Sequence, residues 1–239
     1  MKQHPSDIIF SLILPCYNPI EGWENRILDS VANLSSLLPG EVFQVILVND
    51  GSTRGVSAQS ISKLEESIEH FVYVNQSENR GKGFAVRTGA ALAKASCLIY
   101  TDVDFPYLEE NLVKMYYSIL NQNSDLVVGV REDAYYQGIP SSRKRISLWY
   151  KALLKKLLNI PTSDTQAGLK ALSLHAKLCL LECKTDGYLF DLELIKKCSQ
   201  KKLKINQEKI ELKPGIILSK MPIKTLLKEF FNFLKILFS

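Results

Sequence analysis

The chain carries two alternating apolar patterns. Short continuous runs at Ile8–Leu14, Val42–Val48, Val72–Val74, Leu98–Thr101 and Asp125–Val130 have the length and β-branched content of buried strands. Between them, Ile27, Val31, Leu34 and Leu38 recur at helical spacing in the first such segment, and 60–69, the small-residue segment 84–95 and 108–121 also read as helices. Pro39-Gly40 stops the first helix, and Pro15 is expected to end the first strand. Strands alternating with helices predict an α/β fold with a mostly parallel central sheet flanked by helices. In such sheets ligands bind outside the carboxyl ends of the strands. The unusual loops of the first 130 residues all fall at those ends: Pro15-Cys16-Tyr17-Asn18, Asn49-Asp50-Gly51-Ser52 and Asp102-Val103-Asp104. They predict one composite site.

The pattern changes near Tyr135. The run Ile146–Asn159 places Trp149, Tyr150, Leu153, Leu154, Leu157 and Leu158 among Lys151, Lys155 and Lys156, and no acidic residue falls between Gln137 and Thr162. A basic amphipathic helix with aromatics reads as a membrane-surface element, with a core helix carrying a solvated lysine face as the alternative. The last stretch, Met221–Ser239, sets Leu226, Leu227, Phe230, Phe231, Leu234 and Leu237 opposite Lys224, Lys228, Asn232 and Lys235. It is too short and polar to span a bilayer. It suits contact with lipid, or docking on the domain or on a partner helix. The expected organisation is a folded unit over 1–215, with halves of about 1–130 and 131–215, followed by an amphipathic tail over 216–239.

Charge sharpens this division. The net +5 of the 239 residues conceals about −5 in residues 1–120 and about +10 in the rest. The basic part reads as a solvated surface or as a face for phosphates and anionic lipid. Its setting among amphipathic helices argues against a nucleic-acid role. Five cysteines, an odd number without a CxxC pair, imply reduced thiols and a reducing compartment. Neither a secretory signal nor an apolar run of about 18 residues is found, so the expected location is cytoplasmic.

Two carboxylates one residue apart, Asp102 and Asp104, leave the fourth predicted strand. They can converge on one hard cation, Mg²⁺ or Mn²⁺, which keeps substrate phosphates in its shell. Asp104 could instead cap a helix begun at Pro106. Asn49-Asp50-Gly51-Ser52 also reads as a plain turn before a helix. Asn79-Arg80-Gly81-Lys82-Gly83 could cradle phosphate with backbone N–H groups and Lys82, or form an ordinary turn.

Taken together, Leu14–Asn18, Val48–Ser52, Glu78–Gly83, Asp102-Val103-Asp104, Asp164–Lys170 and Phe190–Glu193 resemble the family-2 glycosyltransferases of the GT-A fold, a Rossmann-like α/β architecture. The set is similar to polyprenyl- and dolichyl-phosphate sugar synthases. The Asn-Arg-Gly-Lys-Gly loop with Ala85, Arg87 and Gly89 is closer to the dolichyl-phosphate glucosyltransferases than to the mannose synthases. The resemblance covers roughly residues 8–200.

What the resemblance implies is an inverting, metal-dependent hexosyltransferase, peripherally attached to the cytoplasmic face of a membrane and serving envelope glycan synthesis. Pro15, Tyr17, Asn18, Asp50, Arg80, Lys82 and Asp102 would bind the nucleotide sugar, UDP-glucose by preference and GDP-mannose as the alternative, with Asp50 accepting from the base. Asp102 and Asp104 would hold Mg²⁺ or Mn²⁺. Many relatives place Gln two residues after the second Asp. Pro106 stands there in this chain, which leaves the two aspartates, phosphates and water as ligands. Arg131 and Arg143 would grip a polyprenyl phosphate, and Gln166 and Lys170 would line the acceptor side. Asp164 and Asp191 would position the acceptor or take its proton. A membrane partner protein or a second copy of the chain is a further expected partner. Two other readings stay open: a family-2 transferase acting on a saccharide or protein hydroxyl, and a non-catalytic membrane-binding GT-A module.

Overall fold

A computed structural model of the protein describes residues 8–131 and 167–214. The basic helix expected at 146–159, the residues Arg143, Asp164 and Gln166, and the tail at 216–239 lie outside the described residues. In chain order the elements are β1 (Ile8–Cys16), α1 (Trp23–Leu37), β2 (Val42–Asn49), α2 (Ala58–Ser67), β3 (Phe71–Asn75), α3 (Lys82–Leu92), β4 (Leu98–Tyr100), α4 (Glu109–Asn121), β5 (Leu126–Arg131), β6 (Lys170–Leu172), α5 (Leu174–Leu181), α6 (Phe190–Gln200) and β7 (Ile205–Ile210). The strands form one sheet in the order β3-β2-β1-β4-β6-β5-β7. Among the described strands only β6 runs against its neighbours, pairing antiparallel with both β4 and β5.

The period-two direction of strand side chains builds two cores, one on each face of the sheet. Leu12, Leu14, Val45, Leu47 and Ile99 point to the face covered by α1, α2 and α4, where Trp23, Ile27, Leu34, Leu64, Leu112 and Met115 pack. Their neighbours Ile13, Ile46, Val48, Leu98 and Tyr100 point to the other face, against Val86, Ala90, Leu180, Phe190 and Leu194 of α3, α5 and α6. Strands buried on both faces need continuous apolar runs, as the sequence provides.

Pro15 does not end β1, which continues to Cys16. The pairing of β1 with β4 stops at Ile13↔Tyr100, so the N–H that Pro15 lacks falls beyond β4's last paired residue. All five cysteines are buried with free thiols. Burial pushes Cys16, offset by a hydrogen bond with Ser52, and Cys97 up to about 12, which keeps both neutral.

Candidate active site

The three loops at the carboxyl ends of β1, β2 and β4 lie side by side, because these strands are adjacent and parallel. At the end of β1, Asn18 adopts a left-handed backbone (φ 47°) and braces the neighbouring loop. Its Oδ1 accepts from the N–H groups of Thr53 (2.9 Å) and Arg54 (3.2 Å), while its own N–H donates to Ser52 Oγ at 2.9 Å. Tyr17 beside it is half exposed, and Pro15 is partly buried.

Asp50 is buried, with 3% of its surface exposed. Its Oδ1 accepts from Arg80 N–H at 3.0 Å, and its Oδ2 accepts from Gly81 N–H at 2.8 Å and Asn79 Nδ2 at 3.1 Å. The carboxylate therefore holds the glycine loop in place, and three of its roughly four acceptor positions are spent on that task. The contact to the base that the resemblance implies for Asp50 would use the position that remains. Asp50 does not cap a helix: Ser57 caps α2, accepting from Ser60 N–H.

Of the two forms its sequence allows, the glycine loop takes the closed turn and not the open phosphate cradle. The N–H groups of Arg80 and Gly81 point to Asp50, and those of Gly83 and Phe84 donate to the carbonyl of Asp186, at 2.8 and 3.3 Å for the latter pair. Asp186 lies between α5 and α6. Its carboxylate also accepts from Arg87, and from Arg80 at 3.3 Å, and Arg87 donates to Thr185 O at 2.7 Å. Glu193 holds this segment from below, accepting from Lys184 N–H (2.9 Å) and Thr185 N–H (2.8 Å). Gly81 has φ 120°, and a Cβ there would lie 2.5 Å from the Asp186 carbonyl, so glycine is required on two counts. Arg80 stacks on Phe84, its guanidinium carbon 3.4 Å from the ring centroid. Nothing in the sequence marks Asp186, since Thr185-Asp186-Gly187 looks like any turn.

Lys82, in the first turn of α3, reaches Asp102 and donates to its Oδ1. Burial works against the ammonium. Asp102 and Asp191 outweigh it and hold Lys82 above the usual lysine range, so it stays charged. Asp104 is not a helix cap: α4 begins at Glu109 behind Leu108, without a side-chain cap bond. Burial and the Asp102 charge push the Asp104 carboxyl above the usual aspartate range, against the weaker pull of its own backbone N–H, Lys82 and Arg26. The two carboxylates thus share too little positive charge. Hard oxygen donors under mutual repulsion fit a divalent cation. Among the described residues no third acidic, His or Cys side chain joins them, so substrate oxygens and water would complete the shell.

Arg131 ends β5 at the same edge of the sheet, and its charge acts on Tyr107. Burial and Asp102 raise the Tyr107 phenol, which accepts from Gly168 N–H at 3.2 Å. Lys170 and Asp191, expected to face the acceptor, are buried instead and paired to each other at 2.9 Å. Lys170 falls in β6, between β4 and β5, where both faces of the sheet are covered.

Among the described residues no helix is long and apolar enough to cross a membrane. Residues 11–176 match the glycosyl transferase family 2. A dolichyl-phosphate beta-glucosyltransferase of Trichomonas vaginalis is 25% identical over 96% of this chain and 73% of its own length. The dolichyl-phosphate beta-glucosyltransferase of Saccharomyces cerevisiae is 25% identical over 87% of this chain and 68% of its own. Glycosyltransferase AglD of Haloferax volcanii is 24% identical over 85% of this chain, which spans only 33% of AglD. Among solved structures, glucosyl-3-phosphoglycerate synthase of Mycobacterium tuberculosis with Mn²⁺, UDP and phosphoglyceric acid superimposes with a TM-score of 0.68. The identity is 16%, over 95% of this chain and 78% of that one. Mannosyl-3-phosphoglycerate synthase of Rubrobacter xylanophilus gives the same TM-score at 14% identity, over 95% of this chain and 72% of that one. The sheet order, the acidic pair leaving β4 and a family match over well more than half of the residues agree: the chain belongs to glycosyl transferase family 2 and has the GT-A fold.

Proposed function

We propose that the protein transfers glucose from UDP-glucose to a polyprenyl phosphate, with inversion at the anomeric carbon, at the cytoplasmic surface of a membrane. One observation carries this reading: the Asp102/Asp104 pair sits at a strand end beside a charged Lys82, with Arg131 on the same edge. The dolichyl-phosphate glucosyltransferase relatives, similar over most of this chain, support the choice of sugar and acceptor.

Asp102 and Asp104 would hold Mg²⁺ or Mn²⁺, whose charge offsets that building on the departing diphosphate. Lys82 keeps a second positive charge at the same place. Tyr17 and Arg80, both partly exposed, would meet the nucleoside. The acceptor phosphate is already anionic at neutral pH, so its oxygen attacks C1 without a base to strip a proton. The bond from C1 to the UDP oxygen breaks, and UDP leaves with the electron pair. Arg131 and Arg143 suit the acceptor phosphate, since a guanidinium grips its oxygens in bidentate fashion. The basic half at 131–215 and the tail at 216–239 would bring the enzyme to lipid.

A hydroxyl acceptor is the second reading. A poly(ribitol-phosphate) beta-glucosyltransferase of Bacillus spizizenii, 28% identical over 55% of this chain, supports it. The deciding assay incubates radiolabelled UDP-glucose and GDP-mannose with the protein, with and without polyprenyl phosphate and with and without EDTA. Label moving from UDP-glucose into organic-extractable lipid, only with polyprenyl phosphate and only without EDTA, is the expected result. Transfer that ignores polyprenyl phosphate would favour the hydroxyl acceptor, and liposome binding with no transfer at all would favour a non-catalytic module.

A further inference from the structure

Two hydrogen bonds and a close approach to Asp102 converge on the Ala167-Gly168 peptide. Lys170, wholly buried, donates to Ala167 O at 2.8 Å. The Lys170 ammonium lies 2.9 Å from Asp191 Oδ1, in the first turn of α6, and that oxygen also accepts from the Tyr100 hydroxyl. Gly168 N–H donates to Tyr107 at 3.2 Å. On its other side Gly168 rests on Asp102: a Cβ there would lie 2.3 Å from Asp102 Oδ2 and 3.3 Å from Lys82 Nζ. The second carboxylate oxygen of Asp102 holds Lys82. Asp102 is thus gripped between an ammonium and a peptide wall, and Lys170 fastens the wall from behind.

Stability does not account for such a pair. Removing two charges from water costs about as much as their attraction returns, and apolar residues of similar volume usually do as well or better. What apolar residues cannot do is donate to the Ala167 carbonyl. We propose that Lys170 and Asp191 are positioning residues whose buried pair fixes the Ala167-Gly168 wall against Asp102, and so sets the shape of the donor-diphosphate pocket. The proposal rests on the donor site assigned above. It gives Lys170 and Asp191 a role behind that site, in place of contact with the acceptor.

The test uses the full chain with two variants. The triple variant Lys170→Met, Asp191→Leu, Tyr100→Phe removes the pair without stranding a buried charge or hydroxyl. Gly168→Ala pushes the wall into Asp102 and leaves the pair intact. Thermal melting, Mn²⁺·UDP affinity by calorimetry and hydrogen exchange of the peptide spanning residues 167–169 are read for each. The expected triple variant melts cooperatively but several degrees below wild type, since the Ala167 carbonyl loses its donor; it exchanges faster at 167–169 and binds Mn²⁺·UDP roughly tenfold more weakly, the scale typical of outer contacts to a metal site. Gly168→Ala is expected to lose affinity by a similar factor, and it decides the matter should the triple variant fail to fold. A folded variant of either kind that binds as tightly as wild type overturns the proposal. Wild-type protein that binds no Mn²⁺·UDP overturns the donor-site reading instead, and unchanged exchange at 167–169 in the triple variant then overturns the brace on its own.

Discussion

Asp50→Asn separates two roles for one carboxylate. In the structure Asp50 receives three N–H groups, from Arg80, Gly81 and Asn79, and is almost wholly buried. An amide can keep two of these on its one oxygen. Its NH₂ then faces the remaining N–H, donor against donor. The lost charge-assisted bond costs about 1.5–3 kcal/mol, and weakening the other two by removing the charge adds about 1 kcal/mol. The expected destabilisation is therefore about 2.5–4 kcal/mol. For a chain of this size that corresponds to a fall in Tm of roughly 5–15 °C. Differential scanning fluorimetry without ligand reads it directly, and calorimetric titration of UDP gives the accompanying affinity. A variant that melts like wild type yet loses UDP binding would refute the reasoning, because Asp50 would then be a contact to the base and not a brace for the glycine loop.

Other outcomes follow from the same geometry. Asp104→Ala is expected to abolish EDTA-sensitive transfer while leaving the far-UV circular dichroism unchanged, and turnover at the wild-type rate would remove Asp104 from the site. Because Asp104 titrates above the ordinary aspartate range, the ligand-free fold takes up a proton there before the unfolded chain does. This favours folding in acid and is lost as pH rises through that raised range. Mn²⁺ needs the carboxylate, so the rise in Tm on adding Mn²⁺ is expected to be largest at neutral pH and to vanish on acidification through the same range. Melting curves with and without Mn²⁺ across pH check it. Arg143→Ala should raise the KM for polyprenyl phosphate about tenfold with UDP affinity unchanged, as loss of one charge-assisted phosphate contact implies. Equal loss of both in steady-state kinetics and calorimetry would contradict separate donor and acceptor surfaces.

Much of this molecule is written in local pattern. The strands β1 to β5 and the helices α1 to α4 each carry their own periodicity, because burial on both faces demands apolar runs and burial on one face demands helical spacing. The position of Asp102 and Asp104 at a strand end was legible for the same reason, and with it the expectation of a divalent cation. The later elements were not. β6 is three residues, Lys170-Ala171-Leu172, led by a lysine where β4, of the same length, is an apolar run. β7 is a polar strand at the sheet's edge, and its alternation is blurred by Asn206, Gln207, Glu208 and Lys209.

The sequence by itself determined the α/β class, the order of the early elements, the family and the acidic pair at the end of β4. Only the tertiary structure decided what the remaining polar groups do. It inserted β6 antiparallel between β4 and β5, which buried Lys170 against Asp191. It brought Asp186 onto the start of α3, about a hundred residues away in sequence, and so closed the loop that looked open to phosphate. It turned Asp50 toward that loop. Apolar periodicity records which face of an element is buried, a property of neighbours in the chain. Which donor meets which carboxylate depends on elements far apart in the chain, and those meet only once the sheet is assembled.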